Sequence, residues 1–185
     1  MTDHLDDRTY DMLFGIRRSV RYHMHRRRFY EIWNTVTIVL GVAGGSTAFT
    51  GFVATFPPEF ALFPPIAALI VTVFSAVDLA VGTARMADRH ADFARQFIHL
   101  EKEFSHDKSL TDKEHERIVG ERLDIEAGEP APLRLLDVMC HYEILKSLGD
   151  ARTPPRIPFW RRIFVHFVSQ SDFVRRLDYL DRSPY

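Results

Sequence analysis

The chain has 185 residues, 46% hydrophobic and 26% charged, with a formal net charge of −1. The near-zero net charge excludes a uniformly basic nucleic-acid binder, so no nucleic-acid partner is expected. A single cysteine, Cys140, excludes an intrachain disulfide and a four-cysteine zinc site. The charges are unevenly spread: between Ile32 and Ala84 only Glu59 and Asp78 are charged. The quarter-charged frequency of soluble domains would put roughly 14 charges there. The composition is that of a membrane segment inside a highly charged remainder.

Taken in chain order, residues 1–34 read as a cytoplasmic basic helix. Thr2, followed by Asp3, Asp6 and Asp7, resembles a capped helix start, with acids at the positive end of the dipole. Leu13, Ile16, Val20 and Met24 recur at helical spacing. With no proline to interrupt, one helix from about Asp3 to Phe56 is the simplest reading. Residues 35–56 carry no charge and residues 66–84 carry one, Asp78. At ~1.5 Å per residue these lengths match a hydrocarbon core of ~30 Å. The connector 57–65 has Pro57-Pro58 and Pro64-Pro65 at its ends, which stop one helix and restart the next. Arginines precede the first span and follow the second, whereas the connector has neither Lys nor Arg. The positive-inside rule therefore places both termini in the cytoplasm and the proline loop outside. The first 34 residues are too charged for a cleavable signal, so the first span is expected to direct insertion itself.

Beyond the second span, residues 85–150 form a cytoplasmic helical region. Ala80, Ala84, Ala87, Ala91 and Ala94 recur at steps of four and three, a stripe of small residues suited to close approach by the N-terminal helix. A second stripe, Phe93, Phe97, Leu100 and Phe104, needs cover either from later helices or from another subunit. Thr111 and Glu114 form a capping box for a helix to about Ala127, ended by Gly128 and Pro130. Pro132 suits a first turn, and Leu135, Val138 or Met139, Tyr142 and Leu145 mark an apolar face before Gly149. Residues 151–185 are a proline-rich linker and amphipathic tail. Phe159, Trp160, Ile163, Phe164, Phe167 and Val168 fall on one side there, with Arg161, Arg162 and His166 on the rest. Such a segment either lies among lipid headgroups or packs on protein. The expected fold is an all-α membrane protein, a two-span transmembrane hairpin whose helices extend into a cytoplasmic antiparallel helical bundle.

Asp78 is the most informative position. A carboxylate within a span costs about 2.5–3.5 kcal/mol on the translocon scale and ordinarily faces a bundle interior or water. Two roles fit: an acidic ring around an oligomer axis, with Ser75, Thr37, Ser46 and Thr47 as further intramembrane polar groups, or a hydrogen bond to Thr37 or Asn34 that fixes the hairpin. Gly41 and Gly45 are spaced for close helix packing. Arg17, Arg18, Arg21, Arg26, Arg27 and Arg28, with no acid from Met12 to Tyr30, suit anionic lipid, a nucleotide or an acidic partner, and equally suit topology signalling alone. His23 and His25 are two apart, on different helix faces, which argues against a shared metal. Cys140 and His141 diverge for the same reason, and HExxH, P-loop and dinucleotide motifs are missing. Neither an enzyme nor a cofactor or metal is expected.

The chain resembles the SLATT domains, two-transmembrane modules associated with SMODS-type nucleotidyltransferases and SLOG sensors in bacterial defence loci. The residues that carry the likeness are Arg21-Tyr22-His23, Arg28-Phe29-Tyr30, Gly45-Ser46, Asp78-Leu79, Gly82, and the helix through Ala87 and His90. They span about Asp7 to Gly149. The resemblance implies a homo-oligomeric effector of the bacterial inner membrane that opens a pore in anti-phage defence or abortive infection. It would act on a signal from a separate sensor protein or a nucleotide. The alternative is a non-conducting scaffold or exclusion factor that presents its cytoplasmic helices to a partner protein.

Overall fold

The computed structural model describes residues 7–46, 51–55, 57–60, 62–104, 110–150 and 155–182. Every regular element among them is helical. Helix α1 runs Asp7–Gly45, 39 residues. It ends where Gly44 and Gly45 give no side chain to pack and each cost roughly 1 kcal/mol in a helix. The Ser46 hydroxyl then donates to the Ala43 carbonyl at 2.9 Å, in competition with the helical ladder. A single helix to Phe56 is therefore not observed: α1 gives way to a bend at Ser46, and residues 51–53 are again helical. The expected cap at Thr2 and Asp3 lies outside the described residues.

After a 3₁₀ turn at Pro58–Phe60, helix α2 spans Phe63–Val81, with proline in its first turn. It begins earlier and ends earlier than expected. Its end is set by Gly82, at φ 65°, whose N–H donates to the Asp78 carbonyl at 2.8 Å. The left-handed conformation suits glycine and closes the helix. Helix α3 starts afresh at Thr83 and runs to Phe104. The alanine stripe consequently does not follow one helix: Ala80 and Ala84 are exposed, Ala91 is half-buried, and Ala87 and Ala94 are buried. Helix α2 is the one helix among the described residues long and apolar enough to cross a membrane. An 18-residue window in it has mean hydropathy 2.0, and none of its residues is buried.

Helix α4 is Asp112–Ala127, and its capping box forms as the sequence reads. The Glu114 amide donates to Thr111 Oγ1 at 3.3 Å, and the Thr111 amide donates to Glu114 Oε2 at 2.9 Å. Helix α5, Arg134–Ser147, starts after Pro132 rather than on it. It has no side-chain cap of its own; the free amides at its start are taken up by other segments. The Leu133 N–H donates to the Tyr22 hydroxyl at 3.0 Å, Arg134 N–H to Ser169 Oγ at 3.3 Å and Leu135 N–H to the Ser169 carbonyl at 3.3 Å. The buried face of α5 is Leu135, Leu136, Cys140, Ile144 and Leu145, so it is rotated from the expected one. The tail folds into α6, Phe159–Ile163, a 3₁₀ turn Phe164–His166, and α7, Ser171–Arg182, a helix the sequence reading did not include.

The chain divides into two compact units, residues 27–89 and the remainder. In the remainder, Met12, Leu13 and Ile16 of α1 pack with Phe97, Leu100 and Phe104 of α3 and Ile118 of α4. The phenylalanine stripe is thus covered by this chain's own helices. A second cluster joins Tyr22, Leu135, Leu136, Cys140, Val165 and Val174. In the unit 27–89, Trp33 stacks on Phe74 with ring centroids 5.1 Å apart, joining α1 to α2.

Phe97 is 0% exposed at the centre of the first cluster. Phe97→Ala is expected to destabilise the protein by about 3–5 kcal/mol. Leu79→Ala, at a position 86% exposed, should leave the midpoint nearly unchanged in the same detergent. Thermal melts followed by far-ultraviolet circular dichroism compare the two; equal midpoints would refute this placement of the core.

Candidate functional site

The residues singled out by the sequence are distributed over both units, with Arg27 and Arg28 of the basic run and Ala80, Ala84 and Ala87 of the alanine stripe in the unit 27–89. In the unit 27–89, α1 and α2 leave between them a groove of about 740 Å³, lined mainly by small and apolar side chains. Gly41, Gly44, Gly45, Ala68 and Ser75 are among its walls. A side chain at Gly41 or Gly45 would meet nothing within 4 Å, so these glycines do not serve contact between α1 and α2. At Gly44, by comparison, a Cβ would lie 3.9 Å from Val71.

The polar side chains of this unit bond to their own helices. Thr37 Oγ1 donates to the Trp33 carbonyl at 3.1 Å, and Thr72 Oγ1 donates to the Ala68 carbonyl at 2.8 Å. The Asp78 carboxylate accepts from the Thr83 hydroxyl, across the Gly82 break. The expected bond to Thr37 or Asn34 is not the one formed: the left-handed glycine turns Thr83 back toward the last turn of α2, and Thr37 is satisfied four residues upstream. Asp78 does not line the groove, whereas Ser75 does. Thr47 lies outside the described residues.

In the other unit, the arginines of α1 meet acids that the sequence places far away. Arg17 pairs with Glu101 at 2.8 Å, Arg18 with Asp137 at 3.2 Å, and Arg21 with Glu143 at 3.9 Å. His25 Nε2 lies 3.0 Å from the same Glu143. Arg26 is buried and donates from Nη1 to the His166 carbonyl at 2.7 Å. Across the boundary, in the unit 27–89, Arg27 pairs along the helix with Glu31 at 2.7 Å. Arg28 is exposed. The basic run is therefore largely spent on holding the helices together, at partly exposed sites where each pair contributes about 0–1 kcal/mol.

His23 and His90 form the polar group that the sequence reading missed. Both are buried, and their Nδ1 atoms lie 2.9 Å apart. His23 Nε2 is 2.9 Å from Glu129 Oε1, and its ring lies against Tyr22, Phe93 and Phe97. An Nδ1 to Nδ1 hydrogen bond needs one donor and one acceptor, so this contact holds a single proton. A second proton there would set two N–H groups against each other. The available signal was His90 itself: it shares the face of Ala87, Ala94 and Phe97, and a polar residue on a buried face requires a partner. Among the described residues no group of three His, Cys, Asp or Glu is arranged to hold a metal ion.

Cys140 is buried, and burial pushes its thiol up to about 12, with Glu143 adding to the effect. Trp160 and Arg162 are exposed, and the Arg161 guanidinium lies over the Trp160 ring, 4.3 Å from its centroid.

His166 has its pKa lowered from the ordinary 6.5 to about 4, by burial first and then by the charges of Arg26 and His25. On acidification the unfolded chain takes up this proton before the folded one does. Stability from this group is unaffected above pH 6.5 and declines from there to about pH 4. Melting midpoints measured across that window should fall with pH, and His166→Asn should flatten the dependence. An unchanged slope in the variant would remove His166 as its source.

No protein-family model, curated protein or solved structure matches the chain.

Proposed function

We infer that the protein is a homo-oligomeric two-span protein of the bacterial inner membrane, with both termini cytoplasmic, whose opening permeabilises the membrane in anti-phage defence or abortive infection. The observation that carries the membrane reading is α2, a helix with an 18-residue window of mean hydropathy 2.0 and no buried residue. In water such a surface exposes far more apolar area than a monomer tolerates, and lipid or another copy relieves it. The groove beside it supports self-association, because small residues admit a facing helix backbone closely. The likeness of Arg21-Tyr22-His23, Gly45-Ser46 and Asp78-Leu79 to SLATT domains supports the defence role. The trigger would be a separate sensor protein or a nucleotide signal.

One observation favours the second reading, a non-conducting scaffold: the Asp78 carboxylate is engaged by Thr83 at the end of α2. Voltage-sensitive dye recording during induced expression tests both. A pore gives depolarisation before growth stops. Asp78→Leu should weaken it, and Thr83→Val should not if the carboxylate lines the path. Equal loss in both variants would assign Asp78 to closing the helix. A normal potential at high membrane expression, with the nucleotide signal or sensor supplied, would sink the pore.

The groove gives a separate expectation. Gly41→Leu leaves the α1–α2 contact intact, since nothing stands within 4 Å of the added Cβ. It fills the groove, and should reduce the species trapped by membrane crosslinking from oligomer to monomer. An unaltered crosslinking ladder would exclude the groove as the contact between copies.

A further inference from the structure

The tail holds an apolar face that is more than half exposed. Phe159 is 78% exposed, Trp160 54%, Phe164 51%, Phe167 51% and Val168 55%. The face is not a frayed end. Val165, between these residues, points the other way and is 2% exposed in the second core cluster. Ser169 takes up the first amides of α5, and Arg26 binds the His166 carbonyl. Gln170, at φ 48°, is held in the left-handed region by two bonds to Arg161: its Nε2 donates to the Arg161 carbonyl at 3.0 Å, and Arg161 Nη1 donates to its Oε1 at 3.1 Å. The Arg161 guanidinium lies 4.3 Å from the ring centroids of both Trp160 and Phe173. A strained backbone persists where its surroundings over-determine it, and here they fix a presented face.

We propose that this face is seated in the headgroup–acyl boundary of an anionic membrane. The inference rests on the membrane reading above. From Arg156 to Arg176 the tail carries five arginines and one acid, Asp172, which is itself paired with Arg175 at 3.3 Å. In a chain of net charge −1 this is a local basic surface, complementary to lipid phosphate. A tryptophan and phenylalanines flanked by arginine are the composition of interfacial segments. The tail is fixed to Arg26, which stands six residues ahead of Ile32, where the charge-poor stretch begins. In a spanning chain that part of α1 belongs to the headgroup zone. A second copy is the poorer occupant, since a two-fold contact through this face sets arginines against arginines.

The chain has two tryptophans, Trp33 and Trp160, which makes the test direct. Full-length Trp33→Phe, with Trp160 as its only indole, is reconstituted into phosphatidylcholine–phosphatidylglycerol vesicles. Lipids brominated near the headgroup, or near the chain end, are then included. Shallow bromine should quench Trp160 emission at least about twofold, deep bromine much less, and aqueous iodide hardly at all, as for an interfacial ring. Iodide quenching without bromine quenching would place the face in water and overturn the proposal. Protection from both quenchers would mean that protein covers it, and would overturn the proposal equally. The spanning reading is scored separately on Trp160→Phe, which leaves Trp33. Carbonate extraction that releases this variant, with no bromine quenching of Trp33, fails the spanning reading whatever Trp160 reports.

Discussion

Four of the five residues from Tyr22 to Arg26 tie α1 to the elements around it, and the rest of that unit depends on them. The Tyr22 hydroxyl accepts the amide that precedes α5, and His23 reaches both His90 on α3 and Glu129 beyond α4. His25 meets Glu143 on α5, and Arg26 holds the backbone of the tail at His166. Apolar clusters take in Met12, Leu13 and Ile16 ahead of this stretch and Tyr22 within it, but apolar contact alone leaves helix register loosely specified. Directional bonds to groups with sequence separations of 67 to 140 residues select one arrangement. Their net energy is modest, about 0.5–1.5 kcal/mol for a typical hydrogen bond, while the cost of breaking one member is larger because its buried partner is left without a bond.

The same helix changes character along its length. Between Arg17 and Arg27 its basic and ring side chains meet acids, carbonyls and rings. From Ile32 onward its side chains are uncharged, and Thr35 and Thr37 donate to backbone carbonyls four residues earlier in the same helix. That is the pattern of backbone and hydroxyl satisfaction within a single helix which an apolar solvent demands. Helix α2 follows it without a buried residue. The units differ in what they present: one closes around its own ion pairs and aromatic core, and the other carries an apolar helix with no buried residue.

What the sequence disclosed, and what it did not, follows the range of each interaction. The Thr111–Glu114 box and the extent of α4 were legible because a cap is decided within four residues. The Phe93, Phe97, Leu100 and Phe104 stripe was legible as a buried face, yet the identity of its cover was not, since Met12, Leu13 and Ile16 lie some eighty residues earlier. The basic run from Arg17 to Arg28 misled, because charge in a sequence gives no sign of the acids opposite it. An uncharged run was read as a continuous span, and it did not reveal that Gly44, Gly45 and Ser46 together end α1. The alanine stripe failed at Gly82, where one left-handed residue resets the rotational phase between Ala80 and Ala84. His90 was legible in principle from its place among buried neighbours; its partners His23 and Glu129 were not.

The buried thiol has a practical consequence. Thiolate is the species that reacts with maleimides and methanethiosulfonates, and a group pushed up to about 12 is ionised to roughly one part in 10⁵ at neutral pH. Cys140 is also closed to reagents of that size. The natural chain is therefore already silent toward labelling, with no background to remove. A cysteine placed at any surface position, in the connector or on either side of α2, becomes its one reactive site. The orientation of each segment can then be read by impermeant reagents without first altering the core around α5.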